Sequence, residues 1–170
     1  LALIRASLPR HDNSATVERL LSFIRSEPDN TDILFDVISI LEDIYFTEIS
    51  ESVLKWASKR HPENPDIRAR LAMTLILRGN ISEGCNIYSD LVSKYSDFYR
   101  FTDGITHALI CIDQHEAAAG IVLQTLPLTD DVNIKKILCN NIGLSLTALD
   151  HSAEAIPFYD EALRIDPCLL

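Results

Sequence analysis

The C-terminal part of the chain carries the pattern that decides the fold. The stretch Asn141-Ile142-Gly143-Leu144-Ser145-Leu146 precedes a turn at Asp150-His151, and Ala153-Glu154-Ala155-Ile156-Pro157-Phe158-Tyr159-Asp160-Glu161-Ala162-Leu163 follows it. Counted from Gly143, small or aromatic residues stand at +12, +16 and +19, and a proline at +24, namely Ala155, Tyr159, Ala162 and Pro167. Small side chains let two helix backbones approach closely where they cross. This stretch therefore predicts a hairpin of two helices.

The same ladder of positions recurs upstream. The anchors are positions 38, 72 and 106, in two equal steps of 34, and the last step, to position 143, is 37. The recurring sets are Ile38, Ser50, Leu54, Ala57 and Pro62; Ala72, Gly84, Tyr88 and Leu91, with Gly79 in the turn; and Thr106, Ala118, Val122 and Thr125. The turn residue is Tyr45 in the first unit and Asp113 in the third. A repeated unit of this length predicts a stack of similar hairpins.

Apolar periodicity and helix-end signals predict the individual helices. Thr31-Asp32, Pro65-Asp66 and Ser152 mark starts, while Pro28, Pro62 and Pro167 mark stops. The three extra residues of the last step fall at 126–131 and predict a longer loop or an extended helix start. We expect helices at about 15–26, 31–44, 48–60, 65–78, 81–95, 99–112, 114–126, 131–148 and 152–165, and no strand.

The ladder of small, small, aromatic, small and proline positions resembles the tetratricopeptide repeat family. The resemblance covers about residues 31 to 167 and is strongest in the second and fourth units. It implies an all-α, right-handed α-solenoid of antiparallel helix pairs forming one domain over residues 1–170. Its repeats would span about 31–64, 65–98, 99–132 and 136–169, after a partial repeat at 1–30 in which residues 1–8 are the remainder of a partner helix.

The composition indicates which classes of partner and which compartment are favoured. The net charge of −10 opposes binding to nucleic acid and to anionic lipid, and no apolar run is long enough for membrane insertion. Four cysteines at 85, 111, 139 and 168 form no zinc-type spacing. The apolar neighbours of the first three predict buried small side chains in a reducing, cytoplasmic setting.

Trp56, at helical spacing with apolar neighbours, is predicted to pack between repeats. Because the sequence starts at Leu1 and not at methionine, the hypothesis that a leader peptide has been removed stays open.

No motif in the sequence predicts catalysis. Phosphate-binding loops and nucleophile elbows are missing, and His107 and His115 are interpreted as groove or surface histidines instead of metal ligands. We therefore expect no catalytic, cofactor-binding or metal-binding residue. Two other hypotheses stay open: the chain is the substrate-recognising or regulatory segment of a larger enzyme, such as a glycosyltransferase or methyltransferase, or it forms a homo-oligomer through its terminal repeats.

In the resembling family, the first helix of each pair lines the concave groove, so a protein or peptide partner would bind there. The sequence makes this face acidic near its N-terminal end and apolar in its middle, which favours a peptide with apolar anchors and a basic flank. The predicted contact residues are Asp36, Ser39, Asp43, Arg70, Met73, Leu77, His107, Asn140, Asn141 and Leu144. Met73 and Leu77 could instead pack against the adjacent repeat.

Overall fold

The computed structural model describes residues 13–43, 46–95, 97 and 99–168 of the chain, and all regular structure among them is helical. The expectations for residues 1–8, for Tyr45 as a turn residue, and for the last two residues lie outside this range. The α-helices of the described residues are α1 (Asn13–Ser26), α2 (Thr31–Asp43), α3 (Thr47–Arg60), α4 (Pro65–Leu77), α5 (Ile81–Lys94), α6 (Tyr99–Cys111), α7 (His115–Thr125), α8 (Val132–Ala148) and α9 (Ser152–Ile165), with a 3-10 turn at Leu126–Leu128.

The all-α prediction is confirmed, and the helices start where capping residues were expected. α2, α4 and α9 begin at Thr31, Pro65 and Ser152. Before α4, the Asn64 side chain accepts hydrogen bonds from the backbone N–H groups of Asp66 (3.0 Å) and Ile67 (3.2 Å). These bonds satisfy donors that the first turn of a helix leaves without an intrahelical partner. The helix start is thus specified by the loop residue just outside it.

The turns inside the hairpins share one hydrogen-bonding pattern. The backbone N–H of Asn80 donates to Leu75 O, and the bond recurs from Phe46 to Leu41, from Gln114 to Leu109 and from His151 to Leu146, at 2.8 to 2.9 Å. The residue before the donor has a positive φ at Gly79 (86°), Asp113 (59°) and Asp150 (62°). A residue with left-handed backbone, followed by an N–H that bonds the carbonyl oxygen five residues earlier, is the Schellman motif, which ends a helix. Aspartate tolerates that conformation better than most side chains, so the third and fourth turns form without glycine.

The chain divides into two compact units, residues 1–60 and 61–170, and each is described by itself. In the first unit, α1 packs on α2, and α2 packs on α3. In the second unit, α4–α5, α6–α7 and α8–α9 form three hairpins, in which α4 packs on α6 and α6 on α8. In the second unit, the first helix of one hairpin therefore lies against the first helix of the next.

The ladder positions form the interior of the hairpins. Ala72, Gly84, Tyr88 and Leu91 are all buried, and so are their counterparts Thr106, Ala118, Val122 and Thr125. A methyl group added at Gly84 would lie 2.6 Å from Ile76 Cγ1 and 2.7 Å from the backbone oxygen of Ala72. α4 and α5 therefore cross at van der Waals distance, as the small residues predicted.

The loop at 126–131 also follows the prediction. Leu126–Leu128 form the 3-10 turn, and Asp131 then caps α8 by accepting hydrogen bonds from the N–H groups of Asn133 (2.8 Å) and Ile134 (3.1 Å). α8 has 17 residues where α4 and α6 have 13. The extra length of the last repeat is thus taken up by a longer loop and by an additional turn at the start of α8.

Two predictions of burial were wrong. Cys111 was expected to be buried with Cys85 and Cys139, but it is exposed, while Cys85 is half-buried and Cys139 is buried. On a helix the residues next to Cys111 point away from it, so the apolar Ile110 and Ile112 do not bury its thiol. Trp56 was expected to be packed between repeats, but it is 41% exposed. Its indole instead lies on the surface of the first unit.

Candidate functional site

The candidate site in the second unit is the exposed side of the first helices α4, α6 and α8. We call it the first-helix surface and define it as Leu77, His107, Cys111 and Asn140. Leu77 is 49% exposed, His107 and Cys111 are exposed, and Asn140 is half-buried. Leu77 and Cys111 occupy the same place in consecutive hairpins, one repeat step apart. Because α4 packs on α6 and α6 on α8, these side chains lie along one row of helices.

Two predicted contact residues have structural roles between the helices. The Met73 thioether lies against Gly104, where an added methyl group would come within 2.6 Å of its sulfur. Asn141 is buried, and its amide donates hydrogen bonds to Asp103 Oδ1 (3.1 Å) and Thr106 Oγ1 (3.0 Å) of α6. Met73 fixes α4 on α6, and Asn141 fixes α8 on α6, so neither side chain is freely presented to a ligand.

The remaining predicted residues of the second unit lie at different depths. Arg70 is half-buried, and Leu144 is 44% exposed. In the first unit, Asp36 and Asp43 on α2 are exposed, and Ser39 between them is half-buried. The predicted acidic character thus belongs to α2 of the first unit, and the predicted apolar character to Leu77 of the second.

His107 and Cys111 stand one helical turn apart on α6 and touch. The Cys111 sulfur lies 3.7 Å from His107 Nδ1 and 3.9 Å from Nε2. Sulfur and imidazole are both metal-binding groups, and a site for a structural metal usually needs four such ligands. Among the described residues, no group of three or more His, Cys, Asp and Glu side chains is arranged to hold a metal ion. The pair therefore forms a polar feature of the first-helix surface.

A buried network of three hydroxyl groups connects the first two hairpins of the second unit. The Tyr88 hydroxyl of α5 lies 2.8 Å from the Thr102 hydroxyl of α6 and 3.3 Å from that of Thr125, at the end of α7. Burial raises the pKa of Tyr88, while its two hydroxyl partners act in the opposite direction. Tyr88 stays neutral and can both donate and accept, which joins the first hairpin of the unit to the second.

The first unit carries an apolar groove that the sequence did not indicate. Its volume is about 330 Å³, and it lies between α1 and α3. Its walls are Leu21, Ile24, Arg25, Ile49, Ser52, Val53 and Trp56. The Arg60 guanidinium sits 6.0 Å from the centre of the Trp56 ring, and its pKa is raised by the hydrogen bond to Asp29. The single tryptophan of the sequence, Trp56, is the signal that could have drawn attention to this part of α3.

The described residues include no helix long and apolar enough to pass through a lipid bilayer. No protein-family model matches this chain, and no curated protein matches it.

Proposed function

We propose that this chain is a tetratricopeptide-like helical repeat that acts as a protein-protein interaction scaffold. The observation that carries the proposal is the repeated hairpin: four turns with the same backbone bond, three of them in hairpins whose first helices pack in a row. Stacked hairpins of this kind bury one side of each helix and leave the first helices able to present side chains in register. We propose a solenoid arrangement for the same reason.

The ligand we propose is a peptide segment of a partner protein that lies across the first-helix surface. Leu77 offers an exposed aliphatic contact on α4, and His107 with Asn140 offers hydrogen-bonding groups on α6 and α8. A mixture of apolar anchors and fixed polar groups is the usual composition of such a surface. The acidic net charge of the chain favours a peptide with a basic flank.

A display library of random peptides, panned against the purified chain, tests this proposal. Selected peptides should bind the chain with the double substitution Leu77→Ala and His107→Ala at least about tenfold more weakly, because anchor residues contribute most of the energy of such contacts. The matched control is Leu123→Ala, another exposed leucine, on the second helix α7. Equal loss in the control and the double variant, or peptides that bind both without loss, would contradict the proposal.

A further inference from the structure

The groove between α1 and α3 of the first unit has the character of a small-molecule site. Ile24 and Val53 line it and are only 6% and 8% exposed, while Leu21 and Ile49 are half-buried. Trp56, also in its lining, is 41% exposed. The volume of about 330 Å³ lies at the lower end of the range of sites that enclose small ligands. The groove thus offers apolar contacts that a small molecule can reach from solvent.

Two neighbouring stripes of α3 face in different directions. The ladder stripe, with Leu54 and Ala57, is completely buried inside the hairpin. The second stripe consists of Ile49, Val53 and Trp56, at helical spacings of four and three residues, and lines the groove. Because α1 and α3 each pack on α2, the groove lies between two helices that a third one holds in place.

The repeat itself does not require an apolar groove. One step of 34 residues takes Ile49 onto Glu83 and Trp56 onto Asp90, both on α5. Glu83 is exposed, and Asp90 bonds Arg68. Where α5 carries two carboxylates, α3 therefore carries a large aliphatic side chain and an indole. The apolar character is particular to the first unit and does not follow from the ladder.

A single cationic side chain lines the groove. Arg25, in the last turn of α1, is the only charged residue among the described residues of the lining. Its partner Glu18, at 3.3 Å, lies outside the lining, and the two side chains are 66% and 73% exposed. Such an exposed ion pair contributes little, so a ligand carboxylate can replace Glu18. Arg60, beside Trp56, is instead held by two hydrogen bonds to Asp29, at 2.7 and 3.1 Å.

We propose that this groove binds a small carboxylate with an aliphatic body. The body lies against Ile49, Val53 and Trp56, and the carboxylate accepts hydrogen bonds from Arg25. The net charge of −10 opposes adsorption to an anionic membrane, so the ligand is a molecule free in solution and not an acyl chain within a bilayer. The site is independent of the peptide contact proposed above, because the first-helix surface belongs to the second unit.

Decanoate, a straight-chain carboxylate, is the probe, and the fluorescence of Trp56 is the measurement. Because Trp56 is the only tryptophan of the sequence, the whole indole signal comes from the lining of the groove. Titration of decanoate into the full chain should shift the emission to shorter wavelength and reach saturation, since the bound alkyl chain removes water from the indole.

Two variants test the apolar body and the carboxylate separately. Ser52→Phe places a ring inside the groove and should weaken decanoate binding at least about tenfold. Its matched control is Ser93→Phe on α5, since both serines are exposed and bond a carbonyl oxygen of their own helix. Arg25→Gln should weaken decanoate about threefold and leave decanol, the uncharged analogue, unchanged.

Isothermal titration calorimetry measures binding to the variants, because Ser52→Phe also changes the surroundings of Trp56. Circular dichroism verifies that the variants remain folded, as expected for substitutions at exposed positions. The proposal is overturned if decanoate gives no saturable shift, or if Ser52→Phe binds it as well as Ser93→Phe does. Equal effects of Arg25→Gln on decanoate and decanol would overturn the carboxylate contact. Sedimentation velocity tests another occupant: a dimer that Ser52→Phe abolishes would assign the groove to a second copy of this chain and overturn the small ligand.

Discussion

Gly84 illustrates how single residues determine the helix crossing. Its Cα faces Ile76 and the backbone oxygen of Ala72, with no room for a methyl group. Gly84→Ala should lower the free energy of unfolding by about 1–3 kcal/mol, because the backbone of α4 has to move. Gly120, on α7, has nothing within 4 Å of an added methyl group, so Gly120→Ala should raise stability by about 0.5–1 kcal/mol. Urea unfolding of both variants measures the difference, and equal effects would refute the close crossing.

The four thiols should differ in their reactivity. Burial raises the pKa of the Cys85 thiol and of the Cys139 thiol, so near neutral pH both hold less of the reactive thiolate. Cys111 and Cys168 are exposed. Iodoacetamide should therefore modify Cys111 and Cys168 first and Cys139 last, as measured by mass spectrometry of the digested protein over time. If Cys139 reacted as fast as Cys168, its burial in the folded chain would be disproved.

At this scale, sequence patterns predicted interior residues better than surface residues. Ala72, Gly84 and Ala118 were identified correctly because small residues at a fixed spacing have one physical reason, the close approach of two backbones. Cys111 and Trp56 were not, because apolar neighbours in sequence do not tell which side of a helix a residue faces. Asn141 was predicted to face a ligand, and the structure shows it satisfied inside by Asp103 and Thr106. That pairing depends on two helices meeting, which a single helix pattern does not contain.

At the scale of helices, capping side chains should control where α4 begins. Asn64 accepts two backbone hydrogen bonds, whereas Asn80, at the N-cap of α5, makes no capping bond with its side chain. Asn64→Ala should lower the free energy of unfolding by about 1 kcal/mol, and Asn80→Ala should change it much less. Denaturant unfolding of the two variants provides a matched comparison. A larger loss from Asn80→Ala would show that the cap geometry of α4 is wrong.

A charge pair between helices should make stability depend on pH. Arg68 of α4 bonds the Asp90 carboxylate of α5, and Lys94 bonds it at 3.2 Å; these bonds lower the pKa of Asp90. A carboxyl group with a depressed pKa stabilises the fold at neutral pH, and this contribution is lost as the pH falls through that pKa. Asp90→Asn should therefore be less stable than the unmodified chain at pH 7 and should approach it in strong acid. A deficit that stays constant down to strong acid would contradict the ion pair.

The helix positions were predicted within a few residues because their signals are local. Pro65 after a capping Asn64, and a left-handed residue at Gly79, act through the backbone of their own loop. The sequence analysis did not identify Asn30 and Asn64 as caps, although they lie one repeat step apart. Each has a proline two residues before it and an aspartate two residues after it. Asn30 Oδ1 accepts the N–H of Ile33 at 3.2 Å. A search for the repeat in the loops as well as in the helices would have found them.

At the scale of the molecule, helical hairpins recur at a fixed step, and within the second unit each packs its first helix on that of the next. Small residues in the sequence predicted the spacing, and the structure shows the same backbone bond in four turns. What each exposed surface binds could not be predicted to the same degree. The interior positions recur because two backbones must approach at every hairpin, whereas no such requirement recurs at the surface positions. Single exposed aliphatic side chains such as Leu77 and Ile156 are common on protein surfaces and carry no such constraint.

An experimentally determined structure of the purified chain tests this relation most directly. We expect residues 65–94 to superimpose on residues 99–128, with Gly84 and Ala118 at the same crossing and α4 in contact with α6. A structure in which those two segments do not superimpose, or in which α4 and α6 are not neighbours, would contradict it.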